Sequence, residues 1–444
     1  EMNLLTESFV AGHLYDPLVR LEKGSPVPHL AHAWESDGDD RVWTFRLRKG
    51  VFFHHGREMD GADAAFTLER LRDAPPGTLY RQLFRKIRRV DLRDDRTVTV
   101  ELETPLAFFP ELLATGRSAV LPADLCRPDA SRFRKRPVGT GPFKLADSDS
   151  RLFALEAFEG YFRERAHLDR VEIWVLQEEE DEGFFGGDGR LFRIIHNPRD
   201  PLGLEPGWKQ IGSGVTASKF LTVNTRKAGF LSDPAWRSAV LDLLSDDRVA
   251  ASRRTDFQSG DSGKPAAVPR REFAGPDAAL PAEPEGRVTL PAREPLRLVT
   301  IQPYGKDAAA IAGRLGQFGI PVEVELVPPG GFTAEKRLEA DLLFFSLIRD
   351  REALLRQYDL FLTMAGHLDE REASGIRAAL SAVERMADRH ARERVLADLE
   401  NRLIRDRLLV IWQERSVRLA VHESVGGAAV DGMGWVDLRS VWFG

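Results

Sequence analysis

Two adjacent histidines, His54 and His55, are the residues of this sequence that most directly suggest metal binding. They follow alternating apolar and polar residues that predict a β-strand, and neighbouring side chains of a strand point to opposite faces. Two such imidazoles cannot bind one metal ion without distortion, and no further His or Cys lies near them in the sequence. The pattern favours a turn with core packing over a metal site, so we expect neither a metal nor a cofactor.

The polar motifs of the sequence do not predict an enzyme. Ser213 lies between two glycines but lacks the Gly-x-Ser-x-Gly frame of a nucleophile on a strained turn. Thr140 also lies between two glycines, yet the Lys-Ser or Lys-Thr ending of a phosphate-binding loop is missing. Paired carboxylates at residues 178–181 and 246–247 lie in polar stretches, unlike the desolvated acid of a catalytic site. We therefore expect no catalysis, and a hydrolase is the disfavoured alternative.

Four charged or aromatic residues are candidates for contacts with a small ligand. Arg349 and Asp350 directly follow an apolar run that predicts a buried strand, and ligands of α/β proteins bind beyond the carboxyl ends of such strands. A surface ion pair is the alternative for these two. Arg117 follows an apolar stretch and precedes Val-Leu-Pro, so it is a candidate for binding an anion. Tyr15 is the fourth candidate, with burial in the core as its alternative.

Length and composition predict a globular protein of more than one domain. The chain has 444 residues, of which 43% are apolar, enough for two or three compact units. Its formal net charge of -6 is small for this length, so no overall field favours nucleic acid or an anionic membrane. The single cysteine, Cys126, excludes a disulfide within this chain. We expect no membrane span and see no signal peptide in residues 1–6.

Hydrophobic periodicity predicts the elements that would hold the candidate residues. Strand, helix and strand follow each other at residues 296–299, 307–318 and 322–326, and a buried strand is predicted at 340–347. This order argues for parallel pairing. The other predicted elements are a strand at 43–47, a hairpin at 90–100, helices at 64–72, 103–128 and 375–405, a loop at 178–189 and a surface connection at 253–296.

Three motifs together resemble one protein family. The string WTFRLRKGVFFHHGR (residues 43–57) is similar to a segment of the bacterial extracellular solute-binding proteins of family 5. RPVGTGPF (residues 136–143) resembles the P-x-G-T-G-P-F/Y turn of that family, and residues 219–237 resemble its F-N-T passage. The family includes the oligopeptide-binding lipoproteins of ABC importers and binds ligands without changing them. The resemblance therefore implies a non-enzymatic solute-binding protein.

The resemblance also implies the architecture. We expect an α/β fold of the periplasmic-binding-protein type II, with two lobes that close like a venus flytrap and an extra small subdomain. The implied segments are residues 1–30, 139–250 and 415–444 for lobe I, residues 31–138 for the small subdomain attached to lobe I, and residues 251–414 for lobe II. A cleft between the lobes would bury a small ligand, namely a peptide, a sugar or a sugar phosphate.

The C-terminal string GWVDLRSVWF (residues 434–443) resembles the end of the solute-binding half of SgrR-type transcriptional regulators, and HHGRE (residues 54–58) matches the same subgroup. In such regulators a winged helix-turn-helix domain precedes the solute-binding domain. No helix-turn-helix pattern occurs before residue 8, so DNA would be bound only through an N-terminal domain absent from this chain. This resemblance implies the sensor half of a cytoplasmic regulator.

The alternative within the same family is the substrate-binding component of a peptide or nickel ABC transporter. Such a component would be an extracytoplasmic or periplasmic lipoprotein that delivers its ligand to an ABC permease. In the importers, a W-x-A-D-Y-x-D-P stretch supplies an aromatic and an acidic group to the ligand. Residues 341–351 keep neither the Trp, the Tyr nor the Pro, so the sequence leaves the ligand open.

Overall fold

The computed structural model of the chain describes most of its residues. They are residues 6–127, 130–175, 193–196, 206–244, 294–328, 331–348, 353–431 and 435–444. The chain divides into two compact units: unit 1 contains residues 1–214, 350–352 and 416–444, and unit 2 contains residues 215–349 and 353–415. Unit 1 therefore holds both the first and the last described residues, with unit 2 between them along the chain.

The described elements are strands of 2 to 16 residues and helices, in mixed order. The strands are β1 (Val19–Glu22), β2 (Ser25–Pro28), β3 (Ala31–Ser36), β4 (Val42–Leu47), β5 (Ile87–Asp94), β6 (Thr97–Leu102), β7 (Phe143–Ser148), β8 (Leu152–Ala157), β9 (Arg170–Trp174), β10 (Ile194–His196), β11 (Trp208–Val223), β12 (Leu296–Ile301), β13 (Val322–Val327), β14 (Leu342–Ile348), β15 (Leu409–His422), β16 (Val425–Gly426) and β17 (Trp442–Phe443). The helices are α1 (Thr6–Leu14), α2 (Gly61–Arg72), α3 (Arg81–Phe84), α4 (Phe109–Leu112), α5 (Ala123–Cys126), α6 (Ala130–Lys135), α7 (Pro234–Asp242), α8 (Gly305–Gly316), α9 (Ala334–Glu339), α10 (Ala353–Met364), α11 (Glu370–Glu384) and α12 (Arg389–Arg405). Single 3-10 turns lie at Gly116–Ser118, Phe230–Ser232, Gln302–Tyr304 and Leu438–Ser440.

An antiparallel sheet of order β3-β4-β6-β5 forms one part of unit 1. The alternation of apolar and polar residues along β4 explains why this segment is a strand with one face in the core. Trp43, Phe45 and Leu47 are buried, whereas Arg46 is exposed. Helix α2 begins after Asp60, whose carboxylate accepts from the amides of Ala62 and Asp63 as an N-cap. The predicted strand at 43–47, the hairpin at 90–100 and the helix at 64–72 are confirmed.

The helix predicted over residues 103–128 is wrong. The described residues of this stretch form two one-turn helices, α4 and α5, with the 3-10 turn Gly116–Ser118 between them. The hydroxyls of Thr115 and Ser118 both donate to the Leu112 carbonyl, at 3.0 and 2.9 Å, and so replace the amide bonds of a continuing helix. Pro122 then disfavours helical backbone at the residue before it, so the apolar periodicity alone was misleading.

A second core of unit 1 joins α1 to the C-terminal residues and the sheet β7-β8-β9. His13 donates from Nδ1 to the Phe9 carbonyl (2.9 Å), and its Nε2 accepts from the Leu438 amide (3.1 Å). The Trp435 ring packs edge-on against Phe9, with 5.9 Å between centroids. Trp435 and Leu438 belong to the C-terminal string GWVDLRSVWF (residues 434–443). These contacts therefore give that motif a structural role, because they complete the core beside α1.

The strands of unit 2 follow the order β15-β11-β14-β12-β13. Strand β12 pairs in parallel with both β13 and β14, and β11 pairs antiparallel to β14. Helix α8 connects β12 to β13, and α9 connects β13 to β14. The predicted strand-helix-strand order and its parallel pairing are confirmed.

Both faces of the unit 2 sheet are covered, which explains the almost continuous apolar run of β14. Leu342 and Phe344 belong to one core cluster together with Ile311 of α8, whereas Leu343 belongs to a second cluster with Val299. Helices α11 and α12 begin at acidic N-caps and confirm the helix pair predicted at 375–405.

The boundary between the units differs from the segments implied by the sequence. Residues 215–244 belong to unit 2, although the sequence assigned them to lobe I, because residues 217–223 of β11 pair with β14. Residues 31–138 lie inside unit 1, and their separation as a subdomain stays a prediction. The predicted loop at 178–189 and the connection at 253–293 lie outside the described residues. Among the described helices, none has both the length and the apolar character needed to cross a membrane.

Candidate functional site

The structure describes two of the four residues predicted to contact a ligand. Arg349 and Asp350 lie outside the described residues, one and two positions beyond the end of β14, and stay predictions. The carboxylate pairs at 178–181 and 246–247 lie outside them as well. Tyr15 and Arg117 are both described, and both belong to unit 1.

Tyr15 and Arg117 lie on chain segments that are joined by backbone contacts. Tyr15 follows α1 directly, and its half-buried ring lies 6.5 Å from the ring of Phe133 in α6. Arg117 is exposed in the 3-10 turn Gly116–Ser118. The Val120 amide donates to the Asp16 carbonyl (2.9 Å), so the residues that follow Tyr15 run beside those that follow Arg117.

Arg70 and Cys126 connect these two residues electrostatically. Burial raises the pKa of the Tyr15 phenol, and the Cys126 thiol raises it further. Burial raises the pKa of Cys126 to about 11, against the opposing effect of Arg70. Burial lowers the pKa of Arg70, Cys126 raises it and Arg117 lowers it. Tyr15 and Arg117 thus have one electrostatic neighbour each, Cys126 and Arg70 respectively, and sequence reasoning selected neither neighbour.

One face of helix α2 positions Arg70. Asp63, Thr67 and Arg70 are spaced i, i+4 and i+7, which places them on one side of a helix. The Leu121 amide donates to the Thr67 hydroxyl (3.0 Å), and the Ala123 amide donates to Asp63 Oδ1 (2.8 Å). Since both bonds reach the segment that carries Arg117 and Cys126, Arg70 extends the same polar face. The spacing of these polar residues in the sequence was the signal that could have found it.

The carboxylates of this region already bind another arginine. Arg57 Nη2 lies 2.6 Å from Asp63 Oδ1 and 2.8 Å from Asp124 Oδ1. His55 Nε2 lies 3.2 Å from the other oxygen of Asp124. His55 is therefore within hydrogen-bonding distance of Asp124, beside the ion pairs of Arg57, and the described residues contain no cluster of His, Cys, Asp and Glu suited to a metal ion.

His54 has a structural role in a turn, as the sequence predicted. Its Nδ1 accepts from the Gly139 amide (3.2 Å), and its Nε2 donates to the Gly141 carbonyl (3.0 Å). Burial lowers the pKa of His54 to about 4, so the imidazole is neutral at pH 7 and both bonds persist. A side chain at Gly139 would meet the Leu14 carbonyl at 1.9 Å, which explains the glycine by close approach of backbone.

Unit 2 carries a second polar cluster at the carboxyl end of its parallel strands. Strand β12 lies between β13 and β14, so the chain reverses direction across the sheet at β12, where α/β proteins bind ligands. Lys219 Nζ lies 2.6 Å from Asp307 Oδ2, and Trp412 Nε1 donates to Asp307 Oδ1 (3.2 Å). The Tyr304 ring is 5.9 Å from Lys219 Nζ. Sequence reasoning missed this ion pair, because its partners are 88 residues apart.

The two compact units and the strand order of unit 2 are those of the fold class of two-lobed periplasmic binding proteins. The model of the family described as bacterial extracellular solute-binding proteins, family 5 Middle, matches residues 25–245. Residues 25–245 therefore belong to the bacterial extracellular solute-binding proteins of family 5, and the family predicted from the motifs is confirmed.

Curated relatives are of two kinds. The uncharacterized protein YhjP of Bacillus subtilis (strain 168) is 27% identical over 99% of this chain and 73% of its own length. The HTH-type transcriptional regulator SgrR of Photorhabdus laumondii is 31% identical over 39% of this chain. That of Yersinia enterocolitica is 32% identical over 41% of it. The matches span about a third of the length of these regulators, 30% and 32%.

Solved structures confirm the predicted two-lobed fold. The periplasmic binding protein DppA of Helicobacter pylori, in complex with the peptide STSA, has a TM-score of 0.74 at 20% identity, over 98% of this chain and 94% of that one. NikA of Brucella suis, in complex with Fe(III)-EDTA, has a TM-score of 0.74 at 18% identity, over 98% and 95%. At these identities the likeness concerns the fold.

Proposed function

We propose that this chain is a non-enzymatic solute-binding domain that binds a small polar ligand and serves as the ligand-sensing half of an SgrR-like transcriptional regulator. The observation that carries the proposal is the match to HTH-type regulators named SgrR, at 31% and 32% identity over 39% and 41% of the chain. The ligand classes considered are a peptide, a sugar and a sugar phosphate. Under this proposal the protein acts in the cytoplasm.

The proposed mechanism is a shift between conformations. A ligand that binds one conformation better than another shifts the population toward it by its difference in affinity. An attached DNA-binding domain would then bind its operator with altered affinity, and by linkage DNA would alter the affinity for the ligand equally. No residue of this chain has to contact DNA for this coupling.

A second candidate is the substrate-binding component of a peptide or nickel ABC transporter. The observation that favours it is the similarity in fold to binding proteins such as DppA and NikA over nearly the whole chain. Its ligand would pass to an ABC permease, and its location would be extracytoplasmic. The partial length of the match to the regulators leaves room for this candidate.

The first experiment is a thermal-unfolding screen of the chain with neutral peptides, free sugars, sugar phosphates and Ni²⁺. A ligand at 100 times its Kd stabilises a protein by about 2.7 kcal/mol, which is a readily measured shift in Tm. We expect at least one class of solute to raise Tm saturably. A complete absence of stabilisation across the screen would contradict a solute-binding function.

The second experiment separates sensor from transporter. The complete gene product is purified, and its affinity for DNA from its own promoter region is measured with and without the stabilising solute. A regulator binds the DNA and changes affinity by about 5- to 150-fold when the solute is added. A product with an exported lipoprotein signal and no DNA affinity would instead support the transporter.

A further inference from the structure

Lys219 and Ser346 form a cross-strand pair on one face of the unit 2 sheet. The register of β11 and β14 places Lys219 opposite Ser346, and Leu221 opposite Phe344 two residues further along. Side chains directly opposite each other in an antiparallel pair share a face, with Cβ atoms about 4.5–5.5 Å apart. Leu221 and Phe344 belong to the core cluster that also contains residues of α8. Lys219 and Ser346 therefore continue the face of the sheet that α8 covers.

The polar groups of this pair have donors without a partner. A lysine ammonium carries three N–H groups. Asp307 Oδ2, at 2.6 Å, is the one hydrogen-bond partner that Lys219 Nζ has among the described residues. The hydroxyl of the half-buried Ser346 has no hydrogen bond within the same residues. Both side chains can therefore donate to a further group.

Thr300 adds a buried hydroxyl on the same side of the sheet. Its residue is 0% exposed, and its Oγ1 has no hydrogen-bond partner among the described residues. Proteins bond the large majority of their buried polar groups, so this hydroxyl indicates a missing partner. Thr300 is paired with Leu326 of β13, and a Cβ on Gly305 would lie 3.2 Å from Leu326 Cδ1. Thr300 therefore faces the first turn of α8.

The first turn of α8 has a net positive charge over this face. Asp307 lies in this turn, and its carboxylate is 2.6 Å from Lys219 Nζ and accepts from Trp412 Nε1 at 3.2 Å. The charges of Asp307 and Lys219 thus compensate each other. Lys306, in the same turn, is exposed and has no ion pair within the described part of the chain. Tyr304 makes no side-chain cap, so the first amides of the helix and its dipole add to this charge.

The geometry points to an anion-binding subsite in unit 2, in which Lys219, Ser346 and Thr300 donate hydrogen bonds to a carboxylate or phosphate group at the first turn of α8. This inference rests on the proposed solute-binding function and specifies that the ligand carries an oxyanion. Ammonium and hydroxyl groups donate to both kinds of oxyanion, and a helix N-terminus favours negative charge. The subsite lies at the carboxyl end of β12, where α/β proteins bind ligands.

The residues at this end of α8 provide the way in for a solute. The Asp307 side chain is 20% exposed. Thr300 lies deeper, beside Phe344 when the parallel pairing of β12 and β14 is continued by one residue. The ring that packs edge-on against Phe344, with 6.1 Å between centroids, is that of the half-buried Tyr304. Rotation of the Tyr304 ring would open the Thr300 hydroxyl to a bound group.

Two buried threonines of the unit 2 sheet allow a matched comparison. Thr300→Val removes a hydroxyl that has no partner, so its Tm without anions should equal or exceed that of the wild type. Thr222→Val is the control: its hydroxyl is equally buried and lies 3.1 Å from His367 Nε2, so its loss should lower Tm. Thr222 is paired with Leu343, which belongs to the core cluster on the other face. Thr222→Val should therefore leave the affinity for anions unchanged.

The experiment uses the full chain in chloride buffer at pH 7 and adds inorganic phosphate or acetate at constant ionic strength. We expect one of the two anions to raise the Tm of the wild type saturably. Lys219→Met, Ser346→Ala and Thr300→Val should each weaken the affinity for that anion about tenfold or more, because each removes a hydrogen bond to a charged group. The response of each variant is measured from its own Tm without anions. The preferred anion identifies a phosphorylated or a carboxylated ligand.

Two results would overturn the subsite. One is an unchanged affinity for the anion in either Ser346→Ala or Thr300→Val. The other is a Tm of Thr300→Val without anions that falls as far as that of Thr222→Val. The Thr300 hydroxyl would then already have a partner in the free protein, such as a buried water.

Failure of the subsite can be told from failure of the proposed function. If neutral peptides or free sugars stabilise the chain and neither anion does, the subsite is wrong and solute binding stands. If no solute of any class stabilises it, solute binding itself is contradicted. Stabilisation by phosphate or acetate that requires Ser346 and Thr300 supports both.

Discussion

Thr140 and Asp16 are 124 residues apart in the chain, yet the Thr140 hydroxyl donates a 3.0 Å hydrogen bond to Asp16 Oδ2. His29 Nε2 lies 2.7 Å from Asp16 Oδ1, and the Tyr161 hydroxyl donates to the same oxygen at 3.4 Å. All four side chains are buried. Four separate segments of unit 1 are thus held together around one carboxylate, and the Gly-Thr-Gly motif is part of this scaffold.

Replacement of Thr140 by valine tests this scaffold. Thr140→Val keeps the shape of the side chain but leaves one oxygen of a buried carboxylate without its donor, so we expect a loss of about 1–3 kcal/mol in the free energy of unfolding. Urea titration at pH 7 measures it. Thr78→Val is the control: its hydroxyl bonds the Pro75 carbonyl at an exposed site, so its effect should stay within about 0.5 kcal/mol. Equal effects of the two substitutions would contradict the scaffold.

His54 should make the protein less stable in mild acid. Its pKa is lowered from 6.5 in the unfolded chain to about 4 in the folded protein, so the folded state binds fewer protons between these values. Stability therefore rises with pH in this window and is lost as pH falls from about 6.5 to 4, by on the order of 3 kcal/mol at most. Unfolding free energies of the wild type and His54→Gln at pH 7 and pH 5 measure it.

In His54→Gln the loss on acidification should be smaller than in the wild type, because the titrating group is gone. The same dependence in His54→Gln and the wild type would exclude His54 as its source. His367, whose pKa burial lowers to about 3, contributes equally to both proteins.

Two glycine-to-alanine substitutions should change the stability of the protein in opposite directions. A Cβ at position 139 would lie 1.9 Å from the Leu14 carbonyl oxygen, so Gly139→Ala forces backbone apart and should cost about 1–3 kcal/mol. Gly313 is exposed inside α8 with nothing within 4 Å of its added Cβ, so Gly313→Ala should stabilise by about 0.5–1 kcal/mol. The Tm values of both variants, measured by thermal unfolding, test this prediction. A higher Tm of Gly139→Ala would contradict the close approach of Gly139 to the Leu14 backbone.

The ion pair of Lys219 and Asp307 should respond asymmetrically to removal of either partner. Lys219 has 9% of its side chain exposed and Asp307 20%, so Asp307→Leu leaves the more deeply buried charge alone, at a cost of about 3–5 kcal/mol. Lys219→Met should cost less, because Asp307 keeps its bond from Trp412. The double variant completes a double-mutant cycle. We expect the free energies of unfolding to give an interaction energy between the two side chains of about 0.5–3 kcal/mol. Additive effects would show that the pair does not interact.

Regular periodicity was sufficient to predict the fold where side chains alternate in and out of one core. Strand β4, helix α2 and the unit 2 order of strand, helix and strand followed directly from the spacing of apolar residues. The helix prediction for residues 103–128 was wrong for a specific reason. The hydroxyls of Thr115 and Ser118 donate to the Leu112 carbonyl and so compete with the backbone amides that would bond to it in a helix. Such local competition leaves the apolar spacing intact and breaks the helix.

The candidate site was less accessible to sequence reasoning, because it depends on contacts between distant segments. Tyr15 and Arg117 were selected individually, and nothing in their own surroundings pointed to Arg70 on another helix. The face formed by Asp63, Thr67 and Arg70 is visible in the spacing, but its direction is set by hydrogen bonds to Leu121 and Ala123. Lys219 and Asp307 meet only once the sheet of unit 2 has formed.

The hydrogen bond from the Leu438 amide to His13 has a consequence for synthesis of the protein on the ribosome. His13 is synthesised 425 positions before Leu438. Unit 1 therefore cannot complete its core until residue 438 has been made, whereas all described residues of unit 2 have been made by residue 415. Domains fold as units during synthesis. Unit 2 can thus finish folding before unit 1, although its first residue is made later. Helix α1 contacts Leu438 only after that residue has been synthesised.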